Sequence, residues 1–503
     1  MFVRKKKNKS GIISIQVIAK QDGKSKLIKT IGSSLNKNEI EGLYNQGKEF
    51  IKSYGGQQSF NFKDAQSIAE SILKNITSHK EVGTGLLLGK IFTEIGFNKI
   101  PDALFRHLVF ARLSYPVSKL KTSDYLNRYK EVDIPVQKIY RYLDKLYIHQ
   151  KEQIQQISYQ HTLKVLNGVI SVVFYDVTTL YFQIDEEDEL RKRGFSKEGK
   201  HQNPQIILGL LVSVDGYPLA YEIHEGNKFE GHTMLPIIDS FKSKYSIDKL
   251  IIIADSGLLS TNNIHDLQTK GYEFILGARI KNESTSIKEK ILSLNLKNGQ
   301  SDIIEKNDTL KIIVSHSDKR AKKDKYNRER GLQKLEKQIQ SGKLTKANIN
   351  NRGYNKYLKM NGKINVSIDI EKFKNDAKWD GIKGYITNTS LPKNEIIENY
   401  SHLWKIEKAF RVSKHDLKVR PIYHRIRKRI EAHITINFVA YKVYKELERQ
   451  LKAKNATISP EKAIDIAKTI FQIQVEIENN KQITKTLLLT DNQKYLAELF
   501  GFG

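Results

Sequence analysis

A chain of 503 residues with 39 % hydrophobic side chains can bury large cores, and its length suggests about three to four domains. The 85 Lys and Arg against 56 Asp and Glu leave a formal charge of +29, which favours a polyanionic partner and salt-sensitive binding. Cysteine is absent, which excludes disulfides and thiolate metal sites, and no apolar run reaches the ~18 residues of a membrane span.

The N-terminus is basic, with Arg4-Lys5-Lys6-Lys7 and Lys9. The next stretch, Ile12 to Ile18, alternates apolar with polar residues and carries no cleavage signature. It reads as a strand rather than a signal peptide, so the cytoplasm is the expected compartment. Residues 1–35 form a basic β-hairpin in this reading, turning near Asp22-Gly23. From 36 to 165 the apolar period is helical, as in Leu86-Leu87-Leu88-Gly89-Lys90-Ile91-Phe92. Gly83, Gly85, Gly96, Pro101 and Pro116 divide that stretch into short helices. Residues 119–146 have the spacing of a helix-turn-helix, with an ordinary pair of bundle helices as the simpler account.

The segment 166–280 changes character. A long strand is expected over 169–182, and two more over 204–214 and 219–224, joined by a hairpin at Asp215-Gly216. Helices at 233–244 and 260–270 alternate with strands at 249–254 and 272–278. That order predicts an α/β fold with a mixed sheet flanked by helices. Residues 281–380 break the rhythm and read as a basic insertion, with 14 Lys/Arg against 3 Asp/Glu over 319–359. A solvated helical hairpin and a DNA-facing element fit this charge equally well. In 381–450 a strand returns at 384–387, and Pro392 opens a long helix that carries Glu407. The tail, 451–503, holds a helix started by Ser459-Pro460-Glu461 and a hairpin, and is a candidate for dimerisation.

Three acidic residues stand out in this frame. Asp176 follows Val172-Val173-Phe174-Tyr175, and Asp255 follows Leu250-Ile251-Ile252-Ile253-Ala254. Glu407 sits in a helical pattern crowded with cations. Taken alone, each has a bland explanation: a strand-end Asp as a cap, a helical Glu facing solvent. Carboxylates beside a polyanion require positive charge between them, and two strand-end Asp with a helix Glu can hold two divalent ions about 4 Å apart. Oxygen ligands suit Mg²⁺ or Mn²⁺. The acidic run Asp185-Glu186-Glu187-Asp188-Glu189 reads as a solvated loop. His424 and His433 lack a second pair at ligand spacing, which argues against a histidine metal site.

At ~100° per residue, Tyr400, Glu407 and Lys414 share one stripe of a continuous helix, and Arg411 joins it. An amphipathic helix with an i,i+4 Glu–Arg pair is the simpler account of Glu407 and Arg411. From 405 to 429 there are ten Lys/Arg and two acids, including Lys405 and Arg420, which suits phosphate contacts. Arg279, after the strand at 272–278, is a further candidate for the same task.

Together these residues resemble the DDE-type transposases of bacterial insertion sequences. The likeness rests on 174–179 (FYDVTT), 209–212 with Gly226-Asn227, 251–260 (IIIADSGLLS), 384–388, 400–414 (YSHLWKIEKAFRVSK) and 420–424 (RPIYH), and spans roughly 170–440. Part of that family shares a signature of Tyr, two residues, Arg, three residues, Glu, six residues, Lys. Tyr400, Glu407 and Lys414 match it, whereas Leu403 stands where Arg is expected, leaving a neighbour such as Lys405 or Arg411 to supply the contact.

The resemblance implies an RNase H-like core interrupted by an insertion before the Glu-bearing helix. It implies Asp176, Asp255 and Glu407 as catalytic metal ligands for two Mg²⁺, with Mn²⁺ able to substitute. It further implies cleavage at transposon ends, strand transfer into target double-stranded DNA, and a homodimer on paired ends. Residues 36–165 would then bind the DNA end, and the location would be cytoplasmic and nucleoid-associated in a bacterium. A catalytically inactive DNA-binding relative acting as a repressor, and an RNase H-like nuclease without strand transfer, are the alternatives.

Overall fold

The computed structural model describes residues 1–21, 23–54, 69–70, 72–196, 198–342, 344, 348–350, 353–361, 365–477 and 481–502. The chain forms two units, Met1–His79 with Ile473–Lys485 and Lys80–Gln472 with Thr486–Gly503. In the first, β1 (Phe2–Lys7), β2 (Ile13–Gln21) and β3 (Lys24–Ser34) make an antiparallel sheet in that order. The basic run Arg4–Lys7 is therefore itself a strand, paired with β2. Gln21 pairs with Lys24, so the expected hairpin forms; Asp22 of its turn lies outside the described residues. The helix Lys37–Tyr54 packs on this sheet, where Ile15, Val17 and Ile18 are buried. A further strand, β4, spans Ile76–Glu81.

The second unit is built around an eight-stranded sheet. Its members are β5 (Val172–Tyr181), β6 (Gln205–Ser213), β7 (Pro218–Glu225), β8 (Ile251–Ala254), β9 (Glu273–Ala278), β10 (Ser301–Asn307), β11 (Leu310–His316) and β14 (Ile382–Thr387). The order is β10-β11-β14-β9-β8-β5-β6-β7. β5, β8 and β9 run parallel to one another, and the remaining pairs are antiparallel. The apolar runs of β5, β6 and β8 are continuous because both faces are covered. Alternation assigns the faces. Val172, Phe174, Leu180, Ile251, Ile253 and Ile275 join one apolar cluster with the helices that precede and follow the sheet in sequence. Val173, Tyr175, Val177, Ile252, Ala254 and Phe274 join a second cluster with the helices Met234–Tyr245 and Thr261–Thr269. This is the expected mixed α/β sheet flanked by helices. Between β6 and β7 the Asp215-Gly216 hairpin forms, with Gly216 at φ +80°, a conformation open to glycine at little cost.

Two strands from within 281–380, β10 and β11, extend this sheet through Ile304, Leu310, Ile312 and Val314. The basic helix Asp318–Gln340, the strand pair β12 (Leu358–Asn361) and β13 (Asn365–Ile368), and the helix Ile370–Ala377 follow outside it. They share a small cluster of Leu335, Tyr357 and Leu358. β15 (Phe471–Ile477) and β16 (Lys481–Leu487) stand in a three-stranded sheet with β4, in the order β16-β15-β4.

The face carrying Phe174 and Ile253 is covered by Lys393–Ser401, Trp404–Arg411 and the 27-residue helix Arg427–Ala453. Here the structure corrects the expectation of one long helix from Pro392. The first helix stops at Ser401, the second begins at Trp404, and Val412–Asp416 is a π-turn. Through the join the bonds tighten to i→i−3, Leu403 N to Tyr400 O, Lys405 N to His402 O and Ile406 N to Leu403 O. Such a tightened turn holds three residues rather than 3.6, so the register of the stripe changes across it. The join keeps Tyr400, Leu403 and Ile406 in the core while Trp404 and Glu407 face outward.

Candidate active site

Asp176 and Asp255 arrive together because of strand register. β5 and β8 are parallel, with Tyr175 opposite Ala254. The next residues, Asp176 and Asp255, are therefore neighbours at the carboxyl end of β8, about 5 Å apart along the backbone. Asp176 has the parity of Phe174 and Asp255 that of Ile253, so both leave the sheet on the face covered by Lys393–Ser401 and Trp404–Arg411. Trp404–Arg411 packs on β5 and β6 through buried Ile406, Ala409 and Phe410, and carries Glu407 on its exposed side.

Each aspartate is also held locally. Asp176 Oδ1 accepts from Val177 N at 2.7 Å. Asp255 caps the short turn Ser256–Leu258 by accepting from Gly257 N at 2.8 Å. Arg279 braces that turn: its Nε donates to Ser256 O at 2.9 Å and its Nη2 to Gly257 O at 3.4 Å. Arg279 thus begins as a support for the Asp255 loop.

Tyr400 stands within electrostatic reach of Asp255 and Glu407. It is buried, with its ring 4.7 Å from that of Tyr385. Burial pushes its hydroxyl pKa well up, and the Asp255 and Glu407 charges add to the shift. Its hydroxyl rests over Gly277 of β9, where an added Cβ would come within 2.5 Å of the oxygen. A glycine is required at that approach.

The cation beside Tyr400 is one that sequence reasoning did not single out. Lys383, on β14, holds its ammonium 4.5 Å from the Tyr400 ring centre and 5.2 Å from that of Tyr385. Burial lowers its pKa, Arg320 lowers it further, and Glu407 opposes the shift. The available signal was positional: Lys383 shares the face of Tyr385, two residues on along the same strand. Lys405 turns to Val214 O and to Asp215, 3.9 Å away. Arg411 is exposed at the end of its helix, and Leu403 itself is core.

Lys414 and Arg420 converge on one acid. Lys414 Nζ donates to Glu198 Oε1 at 2.7 Å, and Arg420 pairs with Glu198 Oε2. Arg420 also lies over the Tyr181 ring at 5.5 Å. The break at 402–403 and the π-turn interrupt the continuous helix on which Tyr400, Glu407 and Lys414 would share one stripe. The acidic run is not simply solvated either. Asp188 accepts from the backbone N–H of Leu190 and Arg191 and from Arg191 Nε, so it shapes the loop that leads towards Glu198.

Asp176, Asp255 and Glu407 have the oxygen chemistry that hard divalent ions take. Among the described residues no three His, Cys, Asp or Glu side chains are gathered closely enough to enclose an ion. Also among the described residues, no helix is long and apolar enough to cross a membrane.

The family described as the transposase DDE domain matches residues 167–442, more than half of the chain. Similar solved structures include a piggyBac transposase synaptic complex with hairpin DNA, at 9 % identity over 73 % of this chain and 69 % of that one, with a TM-score of 0.38. They also include a Mos1 transposase paired-end complex with the left transposon end, at 9 % identity over 34 % and 56 %, with a TM-score of 0.16. A Mos1 mariner paired-end complex with Mn is 10 % identical over 31 % and 54 %, with a TM-score of 0.15. No curated protein matches this chain.

Proposed function

The chain belongs to the transposase DDE-domain family, and from that premise we propose that it is the transposase of an insertion sequence, with Asp176, Asp255 and Glu407 as its catalytic carboxylates. It is a DNA transposase, an enzyme of phosphoryl transfer on DNA. The observation that carries the site assignment is the register of β5 and β8. It sets Asp176 beside Asp255 on the face where the Glu407 helix packs, all within the family match.

Asp176, Asp255 and Glu407 would hold two Mg²⁺, with Mn²⁺ able to substitute, and ions so held activate water or a 3′-hydroxyl and stabilise the leaving oxygen. The chain's own residues do the rest. Arg279 holds the Asp255 turn in place. Tyr400, fixed over Gly277, and Lys383 beside it face the scissile backbone, with Lys383 standing in for the arginine replaced by Leu403. Lys414 and Arg420 take flanking phosphates once Glu198 yields them. Arg411 and Lys405 add positive potential along the same strand of DNA. Transposon ends and target duplex are the partners, and a homodimer on paired ends is the working assembly, in the cytoplasm at the nucleoid.

The test is end cleavage on duplexes carrying the element's terminal repeats, which are read from the DNA flanking the gene. Asp176→Asn, Asp255→Asn and Glu407→Gln should each abolish Mg²⁺-dependent cleavage while end binding persists. Cleavage retained by any of the three removes that residue from the site. Cleavage without strand transfer by the wild type would instead identify a simple nuclease.

A further inference from the structure

A second concave site lies within the larger unit, formed by residues that the catalytic reading leaves largely unused. A cavity of about 520 Å³ opens between the start of the Lys119–Lys130 helix and the loop that follows the π-turn. Its charged lining is entirely cationic: Arg112, Lys119, Lys121, Lys418 and Arg420, with no Asp or Glu among the described residues that line it.

Two of these cations are buried, each 5 % exposed. Arg112 directs its guanidinium at three carbonyls, Lys418 O at 3.2 Å, Leu417 O at 3.4 Å and Val117 O at 3.5 Å. Among the described residues neither Arg112 nor Lys119 has an ion pair, and no hydrogen bond engages the Lys119 ammonium. Burial pushes the Arg112 pKa down to about 10 and that of Lys119 well below its ordinary value, with Arg112 adding to the latter. Two like charges removed from water without a counter-ion cost several kcal/mol. An anion of more than one charge offsets that cost at a single position.

Other features agree on the kind of anion. Ser118 caps the Lys119–Lys130 helix through Lys121 N. The N–H groups of Lys119 and Leu120 therefore have no partner inside the helix, an arrangement suited to phosphate oxygens. Arg112, whose terminal nitrogens already donate to carbonyls, adds a fixed positive charge beside the phosphate position. Tyr423, 68 % exposed, lines the same cavity and offers a ring face for a base.

We propose that this cavity binds the phosphate group of a nucleotide, with Arg112, Lys119 and the helix start on the phosphate and Tyr423 on the base. The phosphate belongs either to a DNA strand or to a free nucleotide. The site is read by binding alone, so it stands or falls apart from the carboxylate assignment.

Full-length protein is titrated calorimetrically with inorganic phosphate, with a deoxynucleoside monophosphate and with a short single-stranded oligonucleotide. Inorganic phosphate should bind the wild type and Asp176→Asn equally. Lys119→Met, which keeps the apolar stem, should bind it at least tenfold more weakly while its unfolding midpoint in phosphate-free buffer is retained or raised. Tyr423→Ala should leave inorganic phosphate unaffected and weaken both nucleotide ligands several-fold. An oligonucleotide that binds more tightly than the monophosphate identifies a DNA strand as the source; the reverse order identifies a free nucleotide. Undetectable phosphate binding by the wild type, or equal binding by wild type and Lys119→Met, overturns the proposal.

Discussion

Glu198 occupies two of the cations that the transposase reading assigns to DNA. Lys414 and Arg420 both pair with it, and the side chains are 12 %, 21 % and 23 % exposed for Lys414, Arg420 and Glu198. A phosphate must displace this carboxylate before it can use either cation. Pairs at this level of exposure are worth about 1 kcal/mol each. Glu198→Gln removes the competing charge from both, so docking should gain about 2 kcal/mol, or roughly 30-fold in affinity at low salt. Losing one negative charge at the contact should also steepen the plot of log affinity against log salt by about 0.9. Fluorescence anisotropy on a labelled end duplex between low and moderate salt measures both quantities. Lys414→Gln and Arg420→Gln should weaken binding in the same assay. Identical affinity and slope for wild type and Glu198→Gln would refute the reasoning, since Glu198 would then be a structural tether for cations that never meet DNA.

Two further predictions rest on buried groups. Lys383→Met should lower end cleavage about tenfold, or ~1.4 kcal/mol of transition-state stabilisation. Arg411→Gln, on the exposed helix end, should change it little; equal effects in single-turnover assays would remove Lys383 from the site. Stability should also fall on acidification below pH 6.5. Burial lowers the pKa of His161 and His224 to about 4 and of His424 to about 3, while the unfolded chain titrates near 6.5. Between those values the unfolded state binds more protons, so stability rises with pH and is lost as pH drops. Each histidine contributes about 2 kcal/mol of that loss by pH 5. Urea unfolding at pH 7 and pH 5 reads the difference, and replacing His161 by Asn should shrink it.

Much of the catalytic half was legible because its strands are buried on both faces. Val172 to Tyr175 and Ile251 to Ala254 are continuous apolar runs, and each ends on an aspartate. The Asp215-Gly216 turn carried its own chemistry. β10 and β11 were not legible as members of the same sheet, because Asp302, Glu305 and Lys311 interleave their apolar residues inside a strongly basic stretch. The break at 402–403 left no trace either. Ser401, His402 and Leu403 are compatible with a helix, and the interruption coincides with the burial of Leu403 and Ile406 in the core.

The sequence by itself determined the acidic residues, the strands that carry two of them and the excess of cations, since apolar runs and charge are local properties. Only the tertiary structure decided the surroundings of each cation. Lys383 meets Tyr400 across strand and helix, Glu198 holds Lys414 and Arg420 from more than two hundred residues away, and Lys119 is buried beside Arg112. Among 85 basic residues, burial and the distance to a carboxylate distinguish one from another, and both are set by contacts between segments far apart in the chain.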